Sequence, residues 1–185
     1  MNPEWLTAAA ARLGVPLELL APLVLSLGMA WTDLRRRRIP NYLTFGAAIT
    51  GLGFQIGSHG LSGLLDGFLG LAAGLALLWL PYMKGGMGAG DVKALAGLGA
   101  WLGLKRTLYL FIYMGLSGLL VIVVTLWWQG LLWSKLRQGW VWLLNFILSR
   151  PHAVEAQALP NPAHKGIPYG PALALGMAWL CWRPG

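Results

Sequence analysis

Charged residues are scarce in this sequence of 185 residues. Asp, Glu, Lys and Arg make up 11% of it and only six residues are acidic, whereas charged residues are roughly 25% of soluble domains. Apolar residues reach 57% and fall in long runs with almost no charge, which is typical of membrane helices. Because a soluble fold of this size cannot bury so much apolar surface, the composition predicts one integral membrane domain over residues 1–185.

Cysteine and histidine are also rare, which limits the possible chemistry. Cys181 is the one cysteine, so an internal disulfide and a cysteine zinc site are excluded. The three histidines lie outside any metal-ligand spacing, and neither a metal nor a cofactor is predicted. The net charge is +8, and the basic residues lie at the ends of the apolar runs, where they can contact lipid headgroups. The predicted partner is therefore the bilayer and not nucleic acid.

Six apolar blocks predict an all-α, polytopic membrane helix bundle of about six transmembrane helices. The blocks are Leu17–Thr32, Tyr42–Ile56, Leu61–Leu80, Val92–Leu104, Thr107–Trp128 and Ile167–Trp182. A turn at Gly57–Gly60 separates the second from the third, Pro81 is expected to end the third, and Lys105-Arg106 separates the fourth from the fifth. Tryptophans mixed with basic residues between Gln129 and Gly166 indicate an interfacial helix before the last span, and a seventh crossing there stays open.

Glycines four residues apart mark candidate helix contacts, since small residues allow two helix backbones to approach closely. The pairs are Gly53/Gly57, Gly70/Gly74 and Gly99/Gly103. They predict tight packing within the bundle rather than a chemical role.

The distribution of basic residues predicts the orientation in the membrane. With the N-terminus outside, ten of the 14 Lys and Arg residues lie on the inner face and four, Arg12, Lys105, Arg106 and Arg183, on the outer face. This is the direction of the positive-inside rule. Asp33 and Asp91 then both face the cytoplasm, in the inner membrane of the cell.

Two aspartates at helix ends are the candidate catalytic residues. Asp33 ends the first block and Asp91 begins the fourth. The chain between them is long enough to cross a bilayer core of about 30 Å and return, so both carboxylates reach the same depth. Two carboxylates that share one proton can activate water and protonate a carbonyl, which is the chemistry of aspartic proteolysis.

The residues around the aspartates form two short motifs. Asp33 is followed by Arg35–Arg38 and Ile39-Pro40-Asn41, and the second motif is Gly88-Ala89-Gly90-Asp91-Val92-Lys93. Gly88 and Gly90 allow backbone to approach a substrate strand. Pro40, Asn41 and Lys93 are the other predicted supporting residues. The arginines are interpreted chiefly as topology anchors, with contacts to lipid or to an acidic substrate group left open.

The two motifs together resemble the type IV prepilin peptidases, membrane aspartic proteases that also include the archaeal preflagellin peptidases. The late string Ile167-Pro168-Tyr169-Gly170-Pro171 resembles a third family string, usually written with Phe at the position of Tyr169. The resemblance implies that Asp33 and Asp91 are the catalytic pair, with Asp91 in a GxGD motif shared with presenilin-like proteases. It further implies removal of the short basic leader of prepilins or pseudopilins on the cytoplasmic side.

The sequence also departs from part of that family. Larger bifunctional members carry a cysteine-bearing cytoplasmic domain and methylate the new N-terminus, whereas this sequence has no such insertion and one cysteine. The chain therefore resembles the short members, and methyltransferase activity is not expected. Two alternatives stay open, a small proton- or cation-coupled transporter and a non-catalytic membrane subunit of a pilus or secretion machine. The particular substrate and the oligomeric state are not predicted.

Overall fold

The computed structural model describes residues 16–128, 130–147 and 169–182. These residues are helical or lie in short turns, and no strand occurs among them, which confirms the all-α prediction. The helices are α1 (Leu17–Arg36), α2 (Asn41–Met83), α3 (Ala89–Trp128), α4 (Leu132–Ile147) and α5 (Gly170–Trp182). The described parts of Met1–Gly118 and Pro168–Gly185 form one compact unit, and those of Leu119–Ile167 form a second. The predicted single domain stays a prediction.

Helices α2 and α3 each fold back on themselves at one glycine. Gly60 has φ 63° and ψ −144°, and Gly103 has φ 73° and ψ 178°; glycine adopts such conformations at low cost because it has no Cβ. Gly63 packs against Gln55, and Gly99 against Thr107, although eight residues of straight helix would separate each pair by about 12 Å. Each helix therefore consists of two arms, 41–59 and 61–83 in α2, and 89–102 and 104–128 in α3.

The two reversals agree with the predicted blocks, with small shifts at the boundaries. The first lies at Gly60, inside the predicted turn. The second lies at Gly103 and not at Lys105-Arg106, because a positive φ favours glycine whereas the basic pair is compatible with a helix. Helix α2 also continues past Pro81 to Met83.

Helices α2 and α3 are long and apolar enough to cross a membrane. In their most apolar windows only 28% and 24% of the residues are buried, whereas the core helix of a soluble protein is mostly buried. Large side chains such as Ile49, Leu65, Phe68 and Leu116 are exposed along them, as lipid-facing residues are. The predicted number of six crossings stays a prediction.

Close backbone contacts hold the arms of the first unit together. Gly70 contacts Gly99, and Gly74 contacts Ala96, so the second arm of α2 packs directly on the first arm of α3. Two of the three predicted glycine pairs thus contribute to helix contacts. The third prediction was wrong for the described residues, since none of them lies within 4 Å of a side chain added at Gly53 or Gly57.

Helix α5 completes the packing of the first unit. It lies against α1 and, through Gly176, against Met114 in the second arm of α3. Leu173 and Met177 of α5 are buried in one cluster with Leu95 and Leu110. This packing brings the end of α1 and the beginnings of α2, α3 and α5 to one end of the unit.

The second unit contains the end of α3, a turn and helix α4. Gly130 has φ 66° and donates its N–H to the carbonyl of Trp127 at 3.0 Å, which ends α3. Helix α4 has 16 residues and is about 24 Å long, shorter than a bilayer core of about 30 Å. Trp133, Arg137 and Trp140 are exposed on it, as in an interfacial helix. That prediction is not tested further, because 148–168 lies outside the described residues.

Candidate active site

Asp33 lies in the last turn of α1 and is 7% exposed. The helix ends three residues later, where Arg37 adopts a left-handed conformation with φ 51° and ψ 32°. The N–H of Arg37 donates to the carbonyl of Asp33 at 2.7 Å, a common way of closing the last turn of a helix. The chain then leaves the helix while the Asp33 side chain points into the unit.

One carboxylate oxygen of Asp33 accepts a hydrogen bond from the beginning of α5. The N–H of Gly170 donates to Asp33 Oδ2 at 2.9 Å, and this bond is buried. A Cβ at position 170 would lie 2.7 Å from the Asp33 Cβ and 2.9 Å from Oδ2, so only glycine leaves room for the contact. The first N–H groups of a helix lack partners within the helix, and here one of them binds the carboxylate.

Asp91 lies in the first turn of α3 and is 9% exposed. The glycine-rich loop before it turns at Gly85, with φ 71°, and its end lies against the aspartate. A Cβ added at Gly88 would lie 3.3 Å from Asp91 Oδ2. A carboxylate at a helix N-terminus is stabilised by the helix dipole.

The two aspartates lie close enough for their charges to act on each other. This is the juxtaposition that the length of the intervening chain predicts. Both side chains are at least nine-tenths buried, so water screens their interaction weakly. Neighbouring buried carboxylates are the groups that general acid–base chemistry on a peptide bond uses.

The two sequence motifs also contact each other beside the aspartates. A Cβ added at Gly90 would lie 3.3 Å from that of Ile39, so these backbones are near contact. Lys93 Nζ donates to Asn41 Oδ1 at 3.2 Å and lies 5.7 Å from the ring centroid of Phe45. Pro40, with φ −69°, directly precedes α2. The motif of Asp91 therefore contacts the motif of Asp33 at these residues, and their supporting roles stay a prediction.

The arginines after Asp33 point away from the pair. Arg35 to Arg38 are exposed, and the Arg35 guanidinium carbon lies 4.3 Å above the ring of Trp31. This cation–π contact holds the Arg35 side chain against the exposed face of α1. The interpretation of the arginines as topology anchors stays a prediction.

Sequence reasoning assigned no role to Gly170 or Asp66. The Tyr169-Gly170-Pro171 string was a signal for Gly170, but no local pattern indicates that its N–H meets Asp33. The Oδ1 of Asp66 accepts the N–H of Leu104, at the start of the second arm of α3, at 3.0 Å. Among the described residues, no three His, Cys, Asp or Glu side chains are grouped as a metal site would require.

The fold and the site define a helical membrane protein with two buried aspartates at adjoining helix ends. The chain belongs to the type IV leader peptidase family, whose model matches residues 19–123 and therefore includes both aspartates. The match ends before Gly170, so the contact made by α5 lies beyond it. Membership in this family makes the chain a prepilin-peptidase relative and a membrane protein.

Curated relatives support the same assignment. A protein of Aeromonas hydrophila named prepilin leader peptidase/N-methyltransferase is 32% identical over 98% of this chain and 52% of its own length. Proteins with the same name from Pectobacterium carotovorum and Escherichia coli are 40% and 33% identical, over 54% and 50% of this chain and 37% and 44% of their own lengths. The chain thus spans about half the length of the Aeromonas relative, and less of the other two. No solved structure matches the chain.

Proposed function

We propose that this chain is an aspartic endopeptidase of the inner membrane that removes the short basic leader of prepilins or pseudopilins. The observation that carries the proposal is the burial of Asp33 and Asp91 together, within reach of each other's charge, at adjoining helix ends. The names of the curated relatives supply the substrate class. A site at the end of apolar helices suits a substrate whose scissile bond lies next to an apolar helix.

In the proposed mechanism the aspartate pair shares one proton. The ionised carboxylate takes a proton from water as the water oxygen attacks the carbonyl carbon, and the protonated carboxyl gives its proton to the carbonyl oxygen. The resulting tetrahedral species then breaks its C–N bond. The carboxyl that took the proton from water gives it to the leaving amine, and the other carboxylate takes a proton from one hydroxyl of the tetrahedral species, which returns the pair to its singly protonated state. The N–H of Gly170 donates a hydrogen bond to Asp33 Oδ2. This bond orients the carboxylate and leaves Oδ1 to exchange protons with the water and the substrate.

The neighbouring residues are proposed to position the pair and the substrate. Gly88 and Gly90 keep the backbone before Asp91 free of side chains, so an extended peptide can approach it. The contact of Lys93 with Asn41 joins the helix that carries Asp91 to the segment that follows Asp33. These residues are positioning residues in this proposal, and Asp33 and Asp91 alone are catalytic.

The proposed site faces the cytoplasm, as the distribution of basic residues predicts. Cysteine labelling in inside-out and right-side-out vesicles tests this orientation. In a Cys181→Ser background, Arg36→Cys should react with a membrane-impermeant maleimide from the cytoplasmic side, and Lys105→Cys from the other side. Reaction of both cysteines from one side would contradict the orientation.

Leader cleavage in membranes tests the proposed activity. A candidate prepilin is incubated with wild type, Asp33→Asn and Asp91→Asn, because asparagine keeps the shape of the side chain and removes the ionisable acid. Both variants should lose cleavage by at least about a thousandfold, as expected for removing one member of an acid–base pair. Glu155→Gln, which removes a carboxylate at a position without a predicted role in the site, is the control and should cleave normally.

The outcomes separate the proposal from its alternatives. The Aeromonas hydrophila relative serves as a positive control for the substrate. Persisting cleavage in either aspartate variant would contradict the two-aspartate mechanism. If the relative cleaves the prepilin and wild type of this chain does not, the transporter or non-catalytic subunit becomes the better explanation.

A further inference from the structure

The first unit contains a second polar site, at the end of the helices opposite Asp33 and Asp91. It is an open cavity with a volume of about 550 Å³, inside the range of roughly 300–1,000 Å³ that is usual for small-molecule sites. Glu18 lines it and lies 15 residues before Asp33 on α1, which corresponds to about 22 Å of helix. The cavity is therefore separate from the candidate active site.

Four charged side chains of both signs line this cavity. They are Glu18, Asp66, Lys105 and Arg106. Arg106 Nη1 lies 3.1 Å from Glu18 Oε2, the one salt bridge found in the part of the chain that the structure describes. Lys105 has no acidic partner in that part, and its ammonium lies 6.0 Å from the ring centroid of Tyr109. A cation is thus available to a ligand beside the ion pair.

Asp66 keeps one carboxylate oxygen available in the same cavity. Its Oδ1 accepts the N–H of Leu104 at 3.0 Å. Its Oδ2 lies against the backbone of Gly103 and accepts no hydrogen bond from the described residues. A carboxylate can accept several hydrogen bonds at once, so Asp66 can hold the start of the helical arm and still bind a cationic group.

Aromatic rings form another part of the lining. Phe54 and Trp101 stack with ring centroids 5.0 Å apart. The Nε1–H of Trp101 is buried and has no hydrogen-bond partner among the described residues. Buried donors are nearly always paired, so this unpaired N–H is an unusual feature of a ring that also lines the cavity. Indole and phenyl faces also attract ammonium groups.

We propose that this cavity binds a phosphate ester that also carries an ammonium group, the chemistry of the phosphoethanolamine headgroup of zwitterionic phospholipids. Lys105 and Arg106 bind the phosphate, since cationic donors make short, strong hydrogen bonds to phosphate oxygens. Asp66 and the aromatic faces bind the ammonium. Two acidic side chains in the lining disfavour a purely anionic ligand, whereas a zwitterion matches both signs of charge.

The position of the cavity supports a lipid as the source of this group. The residues that line it lie at the ends of apolar helices, beside the reversals at Gly60 and Gly103. Headgroups lie at this level when such helices span a bilayer, and their acyl chains can follow the exposed apolar surface of α2 and α3. The inference is independent of the proposed peptidase activity, because it concerns binding at the other end of the helices.

Lipid retention by the purified full chain tests the proposal. The detergent-solubilised protein is incubated with equimolar dioleoyl phosphatidylethanolamine and dioleoyl phosphatidylglycerol, and bound lipid is counted by native mass spectrometry. Wild type should retain phosphatidylethanolamine in several-fold excess. Lys105→Gln and Asp66→Asn should each reduce that retention roughly tenfold, the effect expected for losing one charged hydrogen-bond partner in an open site.

Matched controls separate binding from folding. Lys84→Gln and Asp91→Asn make the same chemical changes at the other end of the helices and should retain lipid as wild type does. Lys105→Arg keeps the charge and a cationic donor to phosphate, and should stay within about twofold of wild type. Thermal unfolding in detergent is measured for every variant. Equal retention of the two lipids by wild type, or unchanged retention in both Lys105→Gln and Asp66→Asn, would overturn the proposal.

A final comparison identifies the source of the ligand. Soluble phosphoethanolamine is titrated against the chain loaded with phosphatidylethanolamine. Displacement that depends on Lys105 and Asp66 supports the headgroup chemistry and shows that a soluble ester can supply it. Selective retention of the diacyl lipid without displacement supports a lipid source. Displacement that is identical in wild type and both variants would contradict the assigned site.

Discussion

The N–H of Gly170 donates to Asp33 Oδ2 at 2.9 Å, across 137 residues of sequence. The contact connects the beginning of α5 to the last turn of α1, and it is buried. Because a buried carboxylate without donors is costly, the bond stabilises Asp33 inside the unit and restricts its orientation. The third motif of the sequence thus has a physical role beside the aspartate pair.

Replacement of Gly170 by alanine should disable the site without removing either aspartate. The new Cβ would lie 2.7 Å from that of Asp33, so the carboxylate must move. Displacements of about 1 Å in a catalytic group can cost roughly a hundredfold in rate, and we expect a loss of that order in initial leader-cleavage rate. Gly115→Ala is the control, since nothing lies within 4 Å of an added Cβ there. Equal rates for the two variants would disprove the positioning role.

The contact between Lys93 and Asn41 should appear as coupling between two substitutions. Lys93→Gln removes the charged donor of the hydrogen bond of 3.2 Å, and Asn41→Leu removes its acceptor. The double variant should therefore lose little more than either single one. We expect a coupling of about 0.5–1 kcal/mol in the free energy of unfolding, because the bond is charged but solvated. Chemical denaturation in detergent measures it. Lys93→Gln combined with Thr50→Ala, a pair without shared partners, should be additive, and coupling of the same size there would argue against a specific bond.

The glycine contact between α2 and α3 should respond strongly to an added methyl group. Gly70→Ala would place a Cβ against the backbone of Gly99 and Gly103, and forcing extra volume into a packed contact costs about 1–3 kcal/mol. Gly53→Ala meets nothing within 4 Å, and alanine is favoured over glycine in a helix by about 1 kcal/mol. The midpoint temperature of thermal unfolding in detergent should therefore fall for Gly70→Ala and stay equal or rise for Gly53→Ala. The same shift in both variants would contradict the packing.

The product of cleavage should carry an unmethylated N-terminus. The curated relatives are named both as peptidases and as N-methyltransferases, and this chain spans about half of the Aeromonas protein. The expectation rests on the resemblance to the short members of the family and on Cys181 as the one cysteine of this sequence. Mass spectrometry of a prepilin processed by this chain with S-adenosylmethionine measures the outcome, with the Aeromonas hydrophila protein as control. A mass increase of one methyl group would show the prediction to be wrong.

Much of the architecture could be predicted from local patterns. The apolar blocks predict the helical segments because an α-helix must satisfy its own backbone in lipid and needs a minimum length to cross it. The same length argument predicts that Asp33 and Asp91 meet, since two arms of similar length return the chain to its starting depth. The reversal at Gly60 follows from the predicted turn, while the second reversal differs by two residues because basic residues are compatible with a helix.

The sequence by itself determined the helical class, the order of the apolar segments and the pairing of two acids at one end. Only the tertiary structure decided which glycines are contacts, that Gly170 binds Asp33, and that Asp66 binds the backbone of another helical arm. Gly53 and Gly70 occur in identical spacing patterns, yet one faces open space and the other a neighbouring backbone. The physical reason is that spacing determines which residues share a face of a helix, whereas the rotation of that helix against its neighbours depends on packing across the whole unit.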